Sequence, residues 1–107
     1  MTHYLYPNKF AQYKKYEVAK AAIGDDNIDF LIPNAYLSET DLNYDSIQAK
    51  LLTYIDRYDD LRIVAVGFSP LVAIMTKLAV VYNIPVVFFL RDASVESGFR
   101  EIRLFNN

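Results

Sequence analysis

The chain has 107 residues, enough for one domain with a modest core, and its 53% of hydrophobic residues excludes a disordered protein. The formal net charge of −2 gives no electrostatic reason to expect a nucleic acid or a membrane as partner. There is no cysteine and only one histidine, His3, which excludes disulfides and a histidine-based metal cluster. The sequence shows no long apolar run and no signal peptide, so we expect a cytoplasmic protein. We also expect neither a metal nor a cofactor.

The first third of the sequence predicts an arm, a helix and a strand. Residues 1–8 form an aromatic entry ending in Pro7-Asn8, and we interpret them as an arm that either packs on the domain or crosses to a second copy. Apolar positions at helical spacing predict an amphipathic helix over residues 9–23, whose lysines either face water or bind an anion. The run IDFLI predicts a strand over residues 28–32, which Pro33-Asn34 ends.

A polar loop over residues 34–43 then precedes a second helix. Asn43 opens this helix, and apolar residues recur at helical spacing up to Tyr58. The apolar face consists of Ile47, Leu51, Leu52, Ile55 and Tyr58. Asp59-Asp60 leads from this helix to the next strand.

The stretch over residues 62–92 is the centre of the predicted fold. Short apolar runs at residues 63–66 and 86–90 are bounded by turn or breaker residues, which is typical of strands buried on both faces. Between them Ser69 is expected to cap a helix that begins at Pro70, and Asn83 and Pro85 end it. A strand, a helix and a strand in this order predict two parallel strands joined by a right-handed crossover.

The alternating pattern of residues 99–105 predicts a final edge strand. The whole order is helix, strand, helix, strand, helix, strand, strand, which predicts one α/β domain over residues 1–107: a three-layer α/β/α sandwich with a mostly parallel, Rossmann-like sheet. Ligands bind beyond the carboxyl ends of the strands in such sheets. The residues after the parallel strands are therefore the candidate ligand-binding residues: Asn34, Gly67, Phe68, Ser69 and Arg91.

Two of these candidates suit an anion, and each has a simpler alternative. Ser69 lies at a helix N-terminus, whose free N–H groups and dipole favour an anion, but it would serve equally as a helix cap. Arg91 would hold a phosphate with its forked guanidinium, or form a surface ion pair with Asp92 or Glu96. The ligand that fits this edge is a phosphorylated small molecule.

No motif in the sequence assigns an enzyme activity. Neither common glycine-rich phosphate loop occurs, and the turn Gly67-Phe68-Ser69 lacks the second glycine and the histidine base of a nucleophilic serine. The acidic pairs Asp25-Asp26 and Asp59-Asp60 both lie in predicted turns before a strand, at the edge away from the ligands. We therefore name no catalytic residue and no metal ligand.

The stretch IVAVGFSPLVAIMTKLAVVYNIPVVFFLRD resembles the middle of a type I phosphoribosyltransferase, the orotate enzyme in particular. That family has a strand, a pyrophosphate loop with glycine, a helix and a strand of the form IPVVFVRK, followed by a mobile loop and a short antiparallel strand. The resemblance implies that residues 91–98 are the mobile loop and that the edge strand over residues 99–105 is antiparallel. Upstream, residues 28–38 and the helix from Tyr44 resemble the first strand and helix of the family.

The chain departs from this family in the parts that do the chemistry. The strand whose two acids bind the ribose, and whose turn holds the 5-phosphate, would begin where the sequence ends at Asn107. Phe68, Ser69 and Pro70 replace the glycines or the basic residue of the pyrophosphate loop, and the mobile loop has Arg91 where the family supplies lysine. Because catalysis in the family depends on electrostatic support of developing charge, we expect no transferase activity.

Three functions are therefore predicted as alternatives. The first is a non-catalytic phosphoribosyltransferase-like domain that acts as a binding or protein-interaction module. The second is a binder of nucleotides or other phosphate ligands at the strand ends, and the third is a phosphoribosyltransferase subunit whose site a partner chain completes. Nine tyrosines and seven phenylalanines favour interfaces, so we expect a homo-oligomer, as a dimer, or another protein partner. The dimer would form through the sheet edge or the helices, unless the arm covers that edge.

Overall fold

The computed structural model describes residues 1–9, 27–34 and 37–105. These residues contain five strands, two α-helices and a 3₁₀ turn over Glu39–Leu42. In chain order the elements are β1 (Thr2–Asn8), β2 (Ile28–Ile32), α1 (Tyr44–Arg57), β3 (Asp60–Val64), α2 (Ser69–Tyr82), β4 (Val86–Arg91) and β5 (Phe99–Arg103). In the described ranges, no helix has the length and apolar character needed to cross a membrane.

The five strands form one sheet in the order β2-β1-β3-β4-β5. All neighbouring strands up to β4 are parallel, and β5 is antiparallel to β4. The prediction of a mostly parallel, Rossmann-like α/β fold with an antiparallel edge strand is confirmed. The strand order is that of flavodoxin-like doubly wound sheets. The further helix predicted over residues 9–23 lies, apart from Lys9, outside the described residues.

The N-terminal segment is a central strand, and its interpretation as an arm is wrong. β1 lies between β2 and β3, so it covers no edge of the sheet. Leu5 and Asn8 expose none of their surface, and His3, which the sequence placed in a tail, exposes only 4%. The His3 ring stacks on Tyr58 with the ring centroids 3.7 Å apart, and its Nε2 lies 2.9 Å from a carboxylate oxygen of Asp29.

Pro7 is the reason why the sequence did not predict this central strand. Proline has no N–H to give to a ladder, so it argues against a central strand. The pairing of β1 with β3 runs only from Thr2 to Leu5, and Pro7 lies beyond it. The proline ring packs against the turn after β3, where it lies close to Gly67.

Both α-helices pack on one face of the sheet, over an aliphatic core. That core includes Leu5, Ile47, Leu51, Ile63, Leu71, Met75, Leu78 and Val86. Burying a side chain of this kind contributes about 1.5–3 kcal/mol. The helix ends follow the sequence signals: the Asn43 side chain accepts the Ser46 N–H at 3.0 Å, and Asn83 closes α2 in the left-handed conformation with φ 59°.

The other face of the sheet is richer in aromatic residues. Its buried side chains are Tyr4, Tyr6, Ile28, Val64, Val66, Val87 and Phe89. Glu101 on β5 accepts hydrogen bonds from the Tyr4 hydroxyl and the Arg62 guanidinium, so one carboxylate links three strands. Burial, and then the bond to Glu101, raises the pKa of Tyr4, so its hydroxyl remains a donor at physiological pH.

Candidate ligand-binding site

The carboxyl ends of the four parallel strands lie along one edge of the sheet. In spatial order, Asn34 follows β2, Asn8 ends β1, the turn over residues 67–69 follows β3, and Arg91 ends β4. Neighbouring strands are about 4.8 Å apart, so this turn lies beside Asn8 and the end of β4, whereas Asn34 is about 10 Å away along the edge. Four of the five predicted residues therefore lie at the ends of the neighbouring strands β3 and β4: Gly67, Phe68, Ser69 and Arg91. The fifth, Asn34, lies apart.

The turn over residues 67–69, which we call the switch-point turn, occupies a special place on this edge. In the strand order, β2 lies beside β1 in one lateral direction and β4 lies beside β3 in the opposite direction. The connection from β1 to β2 and the connection from β3 to β4 therefore lead away from each other. The crevice between β1 and β3 is therefore the point where the winding of the sheet reverses. Open α/β sheets bind their ligands at such points.

Asn8 holds the switch-point turn in place. Its Oδ1 accepts the Phe68 N–H at 3.0 Å, although the two residues are 60 positions apart in sequence. A Cβ on Gly67 would lie 2.9 Å from this Oδ1 and 3.0 Å from the Cβ of Pro7, closer than side chains pack. Only glycine allows the two strand ends to approach so closely.

Ser69 does not cap α2, so the predicted cap is displaced by one residue. The cap position belongs to Phe68, which has an extended backbone with φ −61° and ψ 120°, and Ser69 is the first helical residue. The reason is that the Phe68 carbonyl already accepts the first helical bond, from the Val72 N–H at 3.0 Å. The N–H groups of Ser69 and Leu71 belong to the first turn of the helix, which has no carbonyls within the helix to receive them, while Pro70 has no N–H.

Arg91 lies at the end of β4 and forms no ion pair with Asp92 or Glu96. Its guanidinium carbon is 5.8 Å from the centre of the Phe99 ring, a cation–π distance. These two side chains, with Ala93 and Gly98, line a shallow and mostly apolar hollow of about 360 Å³. Arg91 therefore keeps a charge beside the edge but is partly engaged with an aromatic ring.

The loop that follows Arg91 is a compact turn with its own hydrogen bonds. The Asp92 N–H donates to the Gly98 carbonyl at 2.9 Å, and Asp92 accepts from both the hydroxyl and the N–H of Ser94. The Ser94 hydroxyl bond, and then its N–H bond, lowers the pKa of Asp92, so this carboxylate stays ionised. Asp92 pairs with Arg100 at 3.2 Å rather than with Arg91.

Asn8 is the residue of this site that the sequence reasoning missed. It is fully buried, and its Nδ2 has no hydrogen-bond partner in the described part of the chain. A signal was present: Leu5-Tyr6-Pro7-Asn8 repeats the pattern of Leu31-Ile32-Pro33-Asn34, which was recognised as a strand end. Lys9, which follows Asn8 and is exposed, adds a positive charge to the same edge.

The opposite, amino edge of the sheet carries the acidic residues. Asp59 and Asp60 lie at this edge, as predicted, but only Asp59 precedes the strand, since Asp60 is the first residue of β3. A cavity of about 450 Å³ opens there between the ends of the two helices. The Thr2 hydroxyl donates to Asp60 at 2.6 Å, and this bond lowers the Asp60 pKa. Carboxylates disfavour a phosphate here. Asp25-Asp26 lies outside the described residues, among which no group of three or more acidic or histidine side chains is placed to hold a metal ion.

Comparison of the sequence with protein-family models found no match, and comparisons with curated proteins and with solved structures found none either.

Proposed function

We propose that this protein is a non-catalytic binding domain whose ligand is a mononucleotide or a related small molecule that carries a phosphate. The observation that supports it is the meeting of Asn8 with the switch-point turn at the reversal point of the sheet, where α/β sheets of this kind take ligands. The proposal keeps the phosphoribosyltransferase-like resemblance as a guide to the ligand class. We place the binding in the cytoplasm, as expected from the sequence.

The phosphate would bind at the start of α2. The N–H groups of Ser69 and Leu71 and the Ser69 hydroxyl are the donors at the start of this helix. The partial positive charge of a 14-residue helix favours an anion at the same point. A second observation supports a ligand: the buried Nδ2 of Asn8 has no acceptor among the described residues, and leaving such a donor unpaired costs about 1–3 kcal/mol.

The organic part of the ligand would lie on Phe68. This side chain exposes 43% of its surface beside the helix start. Stacking of a nucleobase on an aromatic ring contributes about 1–3 kcal/mol. Lys9 and Arg91 flank the turn on either side and would balance the charge of the phosphate. A ligand with both a flat ring and a phosphate therefore fits better than inorganic phosphate alone.

We propose a non-catalytic domain because the described carboxyl edge of the sheet offers few acidic or basic side chains for catalysis. The described residues after β3 and β4 contain no pair of adjacent acids like the pair that holds the ribose in the resembled family. The acids of the loop after β4 are Asp92, which is bound to Ser94 and Arg100, and Glu96. Because none of the described carboxylates ends at the crevice, the turn would bind an anion without an acid or a base from the described residues. Pure protein should therefore give no product from phosphoribosyl diphosphate and orotate, and turnover would contradict this part of the proposal.

Thermal unfolding with AMP, adenosine, phosphoribosyl diphosphate and inorganic phosphate tests the binding. A ligand at about 100 times its Kd adds about 2.7 kcal/mol of stability, which raises the Tm of a domain of this size by on the order of 10 °C. We expect this shift with AMP, a smaller one with inorganic phosphate and none with adenosine. No shift with any phosphorylated ligand would refute the proposal.

Ser69→Asp is the variant that locates the site. Its carboxylate would occupy and repel the phosphate position, yet an acid in the first turn stabilises a free helix by about 0.3–1 kcal/mol, so lost binding would not reflect unfolding. Ser46→Asp makes the same change in the first turn of α1 and should keep the AMP shift. Equal AMP shifts in both variants would place the ligand elsewhere.

A further inference from the structure

The sheet ends in β5, and the free edge of this strand is a second feature of the molecule. Within residues 1–9, 27–34 and 37–105, β5 pairs only with β4. The Leu104 N–H donates to the Val86 carbonyl at 2.8 Å and the Gly98 carbonyl accepts from Asp92 at 2.9 Å, so even-numbered residues turn their backbone groups toward β4. Alternation along the strand then turns the N–H and C=O groups of Phe99, Glu101 and Arg103 outward.

Three large apolar side chains lie exposed around this edge, beside the charged residues of β5. Leu90, Leu104 and Phe105 expose between 42% and 46% of their surface. An edge strand with free backbone groups and apolar neighbours is a ready template for another strand. An added strand would have to complement the side chains of β5 and its continuation. These read Phe-Arg-Glu-Ile-Arg-Leu-Phe over residues 99–105.

We propose that the partner is a second copy of this chain, paired antiparallel through β5 about a two-fold axis that passes through Ile102. A two-fold interface is self-complementary, so each contact occurs twice. The outward backbone groups restrict the pairing, because an odd-numbered residue must face an odd-numbered residue. The central registers that satisfy this rule place the axis on Arg100, Glu101, Ile102 or Arg103.

Charge selects among these registers. An axis on Arg100, Glu101 or Arg103 sets that residue opposite its own copy, and like charges directly opposite each other are destabilising. With the axis on Ile102, Ile102 faces Ile102, and Glu101 faces the partner's Arg103 on both sides of the axis. Arg103 is exposed and has no ion pair within the described residues, so it is available for this contact.

Glu101 is already oriented for the contact. Its carboxylate is held by the Tyr4 hydroxyl and the Arg62 guanidinium on the inner side, and 24% of its side chain remains accessible. An acceptor that is fixed in place loses little conformational entropy when an arginine joins it. Arg62, Glu101 and the partner's Arg103 would then alternate in charge across the joined edge.

The same register also supplies an occupant for the hollow at Arg91 and Phe99. Phe99 faces the partner's Phe105 when Ile102 lies on the axis, and the hollow is lined by Arg91, Ala93, Gly98 and Phe99. An aromatic ring that exposes 42% of its surface in one copy would be covered by the apolar hollow of the other. The two five-stranded sheets would form one sheet of ten strands.

The test uses the full chain in analytical ultracentrifugation, with two charge variants. The wild-type chain should dimerise, and Arg103→Glu should raise the dimer Kd about tenfold or more, because two attractive pairs become two repulsive ones. Lys50→Glu makes the same charge change on α1, away from β5, and should leave the Kd unchanged. A wild-type monomer at about 1 mM, or a dimer that Arg103→Glu does not weaken, would overturn the proposal.

A cross-link identifies the register independently. The chain has no cysteine, so Ile102→Cys introduces a single thiol. Residues that face each other in a pair without hydrogen bonds have Cα atoms about 4.5 Å apart, which a disulfide can span. Mild oxidation should give a covalent dimer with Ile102→Cys and none with Arg100→Cys, whose two copies lie about 14 Å apart along the strands in this register. The reverse pattern would overturn the assignment of the axis.

Discussion

Two neighbouring strands of this protein end in the same dipeptide and use it differently. β1 closes with Pro7-Asn8 and β2 is followed by Pro33-Asn34, each after a leucine and one further apolar residue. Asn8 is fully buried, and its Oδ1 accepts the Phe68 N–H, whereas Asn34 is exposed. The two asparagines are also not level in the sheet, since Asn8 lies opposite Ile32, two residues before Asn34.

The difference teaches that position in the sheet decides what a local motif does. β1 has neighbours on both sides, so its end is covered by the turn from β3, and its asparagine becomes part of the candidate site. β2 pairs on one side only in the described residues, and its asparagine remains at the surface. The following predictions test this contrast, from the largest expected effect to the smallest.

Replacing each asparagine by aspartate should separate the two strand ends most clearly. At pH 7, Asn8→Asp buries a carboxylate that no described ion pair compensates, since the neighbouring Lys9 is exposed to solvent, and we expect a loss of more than about 3 kcal/mol in the free energy of unfolding. Asn34→Asp should change it by less than about 0.5 kcal/mol. Urea unfolding measures both, and equal stability of the two variants would show that Asn8 is not buried as described.

The difference in stability between Asn8→Asp and Asn34→Asp should depend on pH, in a direction set by the pKa of the new carboxyl. Burial would raise the pKa of the new carboxyl at position 8 above the value of about 3.9 in the unfolded chain. The penalty is therefore absent below that value and grows as pH rises toward the pKa of the folded state. The stability of Asn8→Asp should approach that of Asn34→Asp as the pH is lowered toward about 4.

Gly67→Ala tests the contact between the two central strand ends. Its new Cβ would lie 2.9 Å from the Asn8 Oδ1, so we expect a loss of about 1–3 kcal/mol. Asn8→Ala alone should cost about 1–3 kcal/mol, because the Phe68 N–H loses its acceptor. The double variant should cost less than the sum by at least about 0.5 kcal/mol, since the shorter side chain makes room.

Gly98→Ala is the matched control for this cycle. Gly98 needs its φ of 83°, but nothing lies within 4 Å of a Cβ added there. Its loss of about 1 kcal/mol is conformational and should add to that of Asn8→Ala without coupling. Full additivity of Gly67→Ala with Asn8→Ala in thermal or urea unfolding would contradict the contact between Gly67 and Asn8.

The smallest effect concerns the start of β1. Thr2→Val removes the 2.6 Å hydrogen bond that is the main cause of the lowered Asp60 pKa, so this pKa should rise toward its usual value. A lowered folded pKa contributes stability that is present above the unfolded pKa and lost as pH falls through the folded one. The variant should therefore lose less stability on acidification. NMR titration of the Asp60 carboxyl carbon measures the shift, and an unchanged pKa would assign it to Arg62 instead.

The elements that were predicted correctly have local causes. The bounds of β2 match the apolar run between its turn residues, and α1 begins after the Asn43 cap as expected. β3 begins three residues before the predicted strand over residues 63–66 and ends two residues before its end. Its start was missed because Asp60 and Arg62 carry charges that the apolar run does not include. Those charges are tolerated in the strand because Thr2 and Glu101, from β1 and β5, hydrogen-bond to them.

Local sequence alone determined that this chain forms a mostly parallel sheet with helices between strands, because hydrophobic spacing, caps and prolines act within a few residues. It also located the turn over residues 67–69 and Arg91 on one edge, since the ends of parallel strands meet there. Only the tertiary structure placed residues 1–8 at the centre of the sheet and set Asn8 against Phe68. Strand order depends on contacts between residues some 60 positions apart, which no local pattern records.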